Sequence, residues 1–276
     1  MAKIIAVANQ KGGVGKTTTS VNLSSALAIL GHKVLVVDID PQGNATSGLG
    51  VNKNSLSATL YDVFASAFSL SSVIVGTEQS GLWVAPSNSD LIGAELEIVA
   101  VQGREAILKS ALSMLTPQFD YVILDCPPSL GLLTVNALVA ANSVLVPLQC
   151  ENYALEGVSS LMETINVARE QLNPHLNLEG VVLTMFDGRT NLARQVAVEA
   201  KNFFGDSVFE TVIPRNVKLS ESPSFGQPIF LYDSESVGAR AYLNLAKELV
   251  ANNENKQSSL ENFVAPNATK RVGGYE

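Results

Sequence analysis

Short apolar runs rich in β-branched residues recur along the chain at 4–8, 34–39, 82–85, 121–124, 144–148, 181–185 and 209–213. They are continuous rather than alternating, which predicts strands buried on both faces. Between them lie stretches with apolar residues at three- and four-residue spacing, at 19–30 (closed by Gly31), 104–115, 155–172, 192–204 and 237–251. These predict helices. Strands separated by helices predict an α/β fold: a twisted, mostly parallel sheet flanked by helices on both faces. The apolar region 130–148 is broken by Asn136, Asn142, Ser143 and Pro147, and predicts helix plus strand rather than a membrane span. From Asn252 the composition turns to Asn, Lys, Gln and Ser. That predicts one domain over 1–251 and a polar, disordered tail over 252–276, with Phe263 and Tyr275 as its aromatic residues.

Open parallel sheets bind ligands at the carboxyl ends of their strands, so the polar residues after each apolar run carry the chemistry. After the first run stands Lys11-Gly12-Gly13-Val14-Gly15-Lys16-Thr17-Thr18. Strand, glycine turn and helix start make a phosphate cradle: glycines let N–H groups face an anion, and the helix N-terminus adds partial positive charge. Lys16 is expected on the β/γ-phosphates and the Thr17 hydroxyl on Mg2+. The usual loop has glycine at the position of Gln10, and a second lysine, Lys11, follows it.

The second run ends in Asp38-Ile39-Asp40-Pro41-Gln42-Gly43, with both carboxylates on one side of the strand. Asp40 is expected to orient an attacking water or hold Mg2+ through water; Asp38 stays open between a site role and a turn or cap role. Tyr121-Val122-Ile123-Leu124-Asp125 ends an apolar strand on a charge, the form of a magnesium-holding aspartate, acting through water. Late in the sheet, Met185, Pro214 and Asn216 offer apolar faces and an amide to a nucleotide base, or are ordinary loop residues.

Composition narrows the setting. Hydrophobic residues make up 46% and charged residues 16%, which describes a core-rich globule. A net charge of −8 excludes a wholly basic nucleic-acid coat but allows a local basic patch. Cys126 and Cys150 are too few for a disulfide framework and read as reduced, semi-buried thiols. With no signal segment or membrane span legible, the reading is a cytoplasmic protein.

The stretches KGGVGKTTTSVNL, VVDIDPQGNATSGLG, YVILDCPPSLGLLTVNAL, PLQCENYALEG, TMFDGRTNLARQV and VIPRNVKLSESPSFGQPI cover most of residues 3–250. Together they resemble the ParA/Soj partitioning ATPases of the MinD/ParA deviant Walker superfamily. The resemblance implies a P-loop NTPase using ATP and Mg2+, with weak hydrolysis stimulated by DNA and a ParB-type centromere-binding partner. It implies an ATP-bound homodimer that binds double-stranded DNA without sequence preference, on the nucleoid and not on a membrane. Lys11 would then reach across the dimer to the other subunit's phosphates, and Gly12 would sit where the subunits approach closely. Lys16 and Thr17 would act in cis, Asp40 in hydrolysis and Asp125 at the metal. Glu151 and Asn152 would face the dimer interface or the ribose. Arg189 and Lys218, helped by Arg215, would contact DNA. A MinD-like membrane regulator is the alternative, but 252–276 carries no basic amphipathic helix. A metal-cluster carrier would need cluster-type flanks that neither cysteine has.

Overall fold

The computed structural model describes residues 2–264 except 54, 67, 116, 117, 152 and 153, with the side chains of 154–157, 159 and 256–264 also left aside. In chain order the elements are β1 (Lys3–Val7), α1 (Lys16–Ile29), β2 (Val34–Asp38), α2 (Asn44–Gly48), α3 (Leu60–Phe64), α4 (Leu70–Val73), β3 (Val75–Gly76) and β4 (Leu82–Ala85). Then come α5 (Leu91–Glu97), α6 (Ile107–Ser113), β5 (Tyr121–Asp125), α7 (Leu132–Ala140), β6 (Ser143–Gln149) and α8 (Ala154–Gln171). The last are β7 (Asn177–Thr184), α9 (Asn191–Phe204), α10 (Val217–Glu221), α11 (Ile229–Tyr232) and α12 (Val237–Val264). Seven strands form one sheet in the order β3-β4-β2-β5-β1-β6-β7. All neighbours pair in parallel except the short edge strand β3, which runs antiparallel to β4.

Because side chains alternate across a strand, each buried strand feeds two cores. Ile4 and Ala6 of β1 and Leu35 and Val37 of β2 face one core, closed by Leu108 of α6, Leu133 of α7 and Leu161 of α8. Ile5, Val7, Val34 and Val36 face the other, closed by Leu23 and Leu27 of α1 and Tyr242, Leu245 and Leu249 of α12. The predicted α/β architecture with helices on both faces is therefore present. Parallel pairing sets the ends of β1, β2 and β5 side by side: Val7 lies opposite Asp125, and Asp38 opposite Asp125 on its other flank.

One expectation needs correction. Residues 209–213 do not form a strand. Phe209 and Ile213 donate to Val181 and Leu183 at 2.9 and 2.8 Å, as a strand beside β7 would. The intervening N–H groups of Glu210 and Thr211 donate instead to the Glu248 carboxylate of α12, at 2.7 and 2.9 Å. A side chain has replaced the middle of the ladder, leaving isolated bridges at Val181–Val208 and Phe186–Pro214. Helix α12 runs past residue 251 to Val264. Asn, Lys, Gln and Ser are polar but compatible with helix, so the change of composition marks no break. Residues 265–276, including Tyr275, lie outside the described residues.

Candidate functional site

Gly13 and Gly15 hold positive φ values of 75° and 90°, a conformation that side chains resist, and Gly15 is the N-cap of α1. The first-turn N–H groups of α1 have no acceptor within the helix. Lys16 is buried and donates its Nζ to the Lys11 carbonyl at 2.9 Å, closing the loop on itself. Burial lowers its pKa, and the nearby Asp125 carboxylate opposes that shift. Val14 is buried, so only its backbone can serve a ligand; its carbonyl accepts the Thr184 hydroxyl at 2.8 Å, which moors the loop to the end of β7. Gly12, Gly13, Gly15, Lys16, Thr17 and Thr18 line a cavity of about 370 Å3 whose opposite wall includes Asp40, Gln42, Asn44 and Pro128.

Behind Thr17, which lines this cavity, stands a buried carboxylate. Asp125 is fully buried and accepts the Thr17 hydroxyl at 2.9 Å and the Ser20 hydroxyl at 2.7 Å. Its carboxyl is pushed well above the usual range, first by burial and then by the charge of Asp38. Among the described residues no three His, Cys, Asp or Glu side chains gather into a metal cage. The hard oxygens of Thr17 and Asp125 still suit one hydrated magnesium ion completed by phosphate oxygens, so this donor set fits the group that the loop implies. Asp40 reaches the cavity from the side: its carboxylate accepts the Gln42 N–H at 2.9 Å, leaving its other oxygen for a water. Asp38 does something else. It accepts the Thr46 N–H and hydroxyl, both at 2.7 Å, and so anchors α2; this is the cap-like reading left open above.

A second cavity of about 420 Å3 adjoins the first through Gly15, Thr18 and Met185. Met185, Pro214 and Asn216 all line it, with Thr184, Ile213 and Tyr242. Met185 holds a left-handed backbone at φ 49°, which turns the chain out of β7 between the two cavities. Asn216 accepts the Leu219 N–H at 3.3 Å as N-cap of α10, so its amide nitrogen is the group left for a ligand. The three residues expected at a base thus share one pocket next to the phosphate loop.

Other expected residues stand at the rim. The Lys11 ammonium forms an ion pair with Glu151, which also accepts from the Gln149 amide at 2.9 Å. Lys11 does not line its own chain's phosphate cavity. Gly12 is open, with no atom within 4 Å of where a Cβ would stand. Asn152 lies outside the described residues. Arg189 grips Asp187 with two bonds of 2.8 and 2.7 Å, which hold the Asp187 carboxyl down at about 2. Arg215 is exposed and close enough to lower Asp187 further. Lys218 pairs with Glu221 at 3.1 Å and lies 5.4 Å from the centre of the Tyr232 ring. Burial pushes the Cys126 thiol up, and that of Cys150 up to about 11.

Sequence reasoning missed Ser20, Thr184, Gln42, Asn44 and Tyr242. Only Ser20 carried a usable signal, since it lies three residues after Thr17 on the same helix face.

The AAA domain family matches residues 2–178. The chain is 56% identical over 252 residues to the sporulation initiation inhibitor protein Soj of Bacillus subtilis (strain 168), spanning 91% of this chain and 100% of that protein. It is 49% identical to the chromosome partitioning protein ParA of Caulobacter vibrioides, over 93% of this chain and 97% of the relative. A solved structure described as cobyrinic acid a,c-diamide synthase from Mycobacterium smegmatis, with bound ADP and magnesium, is similar with TM-score 0.82 and 39% identity, covering 93% and 97% of the two chains. The septum site-determining protein MinD of Pyrococcus horikoshii, complexed with Mg-ADP, is similar with TM-score 0.76 and 28% identity, covering 90% and 96%. No helix among the described residues is long and apolar enough to cross a membrane.

Proposed function

The chain belongs to the Soj/ParA family of chromosome-partitioning ATPases, and from that premise we propose that it is an ATP-timed DNA-binding switch that works as a dimer. The loop amides and Lys16 bind the triphosphate, and the base enters the pocket of Met185, Pro214 and Asn216. Thr17 and Asp125 would hold magnesium, which would supply positive charge to the phosphates. Asp40 orients the water that attacks the γ-phosphate, and the leaving ADP oxygen is stabilised by Lys16.

One observation carries the dimer: Lys11 belongs to the loop yet lies outside its own phosphate cavity, tethered at the rim to Glu151. An exposed pair of this kind is worth at most about 1 kcal/mol, so the ammonium exchanges Glu151 for another chain's phosphates at little cost. A cation given in trans then stabilises the transferring phosphoryl as an arginine finger does. The closed dimer presents Arg189, Arg215 and Lys218 to DNA phosphates, slow hydrolysis releases it, and a ParB-type partner accelerates that release.

Lys11→Ala tests the reading. It should bind ATP with affinity within about threefold of wild type, yet stay monomeric by light scattering and lose ATP-dependent retention of plasmid DNA. A variant that dimerises on ATP and holds DNA like wild type would refute the trans role.

A further inference from the structure

The turn that carries Asp40 has a support outside the nucleotide cavity. The peptide group joining Gln42 to Gly43 donates its N–H to the Asp40 carbonyl at 2.9 Å. Its oxygen accepts the Lys53 ammonium at 2.6 Å. The N–H of Gln42 itself donates to the Asp40 carboxylate at 2.9 Å. A charged donor on the oxygen strengthens the N–H on the other side of the same peptide, so the lysine tightens the turn that aims the carboxylate.

The seat of the lysine is built. Gly43 has φ +62°, and a Cβ there would stand 3.1 Å from Lys53 Cδ and 2.7 Å from the Ser87 carbonyl oxygen. The turn is therefore pinned between the Lys53 stem and Ser87. Gln42 acts as a partition. On one side is the phosphate cavity; on the other is a polar cavity of about 490 Å3 lined by Pro41, Gln42, Lys53, Asn88 and Asp90. Lys53 lines only the second.

We propose that Lys53 is a positioning residue for hydrolysis, holding the Asp40 turn in register with the phosphates without touching the nucleotide. This rests on the ATPase reading given above. Its consequence is a split: removing the ammonium lowers turnover and leaves nucleotide affinity alone.

The test compares full-length wild type with Lys53→Met, which keeps the stem, and Lys53→Arg, which restores a charged donor. Lys53→Met should lose about tenfold in kcat, the scale of a modest misplacement of a reacting group, with ATP affinity within about twofold. Lys53→Arg should recover most of the loss. Amide hydrogen exchange gives a readout independent of turnover: the Gln42 and Gly43 amides should exchange about tenfold faster in Lys53→Met, with those of α1 and β2 unchanged. Should Lys53→Met fold poorly, Lys53→Gln, with a neutral donor, takes its place with the same expectations. Unchanged exchange at Gln42 and Gly43 overturns the proposal, as does equal loss of affinity and turnover. A wild type without ATPase activity would instead overturn the function proposed above, while the exchange data would still decide the role of Lys53.

Discussion

Asp125 shows how much of a site is set by one side chain and its solvent. Burial, then the charge of Asp38, raises its carboxyl, so the fold favours the protonated form. A carboxyl raised in the folded state adds stability that is full below about pH 4, the unfolded value, and is lost as pH rises through the folded one. Asp125→Asn imitates the neutral form at every pH. In thermal melts without nucleotide, the variant should therefore exceed wild type at pH 8, by roughly 2–4 °C for each kcal/mol relieved, and the gap should close toward pH 4. A lower melting point at pH 8 would mean that the two hydroxyl bonds outweigh the burial cost. The glycines, Lys16 and Asp125 were legible in the sequence because their chemistry is local, fixed by a strand, a turn and the first turn of a helix. Asp38 was not. Its partner Thr46 lies beyond the Asp40 turn, and nothing in the spacing says that the turn folds Thr46 back onto it.

Elements were legible where burial alone decides them, as in β1, β2, β4, β5 and β6, whose apolar runs match the observed strands closely. The segment 209–213 carries Glu210 and Thr211 among its apolar residues, and its ladder is decided by Glu248, distant in sequence. The two-residue β3 and the short helices α3 and α4 escaped notice because so few residues give no period to read. Glu248→Ala should leave the amides of Glu210 and Thr211 without their acceptor and cost about 1 kcal/mol. That loss should appear as a lower urea midpoint with an unchanged slope. No change in the midpoint would mean that water serves those amides equally well.

At the scale of the molecule the net charge is −8, and two of the three cations proposed to meet DNA, Arg189 and Lys218, are already paired with carboxylates. On the function proposed above, binding DNA would exchange exposed partners rather than expose new charge, making attachment weak singly and strongly salt-dependent. Arg189→Glu should weaken ATP-dependent DNA binding and flatten the slope of log affinity against log salt by about 0.9 for each phosphate no longer neutralised, measured by filter binding from 50 to 200 mM salt. An unchanged slope would put the DNA-facing cations elsewhere. Which carboxylate faces each cation was not legible beforehand, although Asp187 and Glu221 stand only two and three residues away. The strand order has a further consequence, in time rather than space. β1 lies between β5 and β6, and the site runs from Lys11 to Asn216. On the ribosome, at about 5–20 residues per second, roughly ten seconds or more separate the synthesis of the first from that of the last. Until residue 125 is made the phosphate loop lacks Asp125, and until residue 216 it lacks the base pocket. A fragment arrested before β5 leaves both hydrogen-bonding edges of β1 unpaired and open to whatever binds nascent strands.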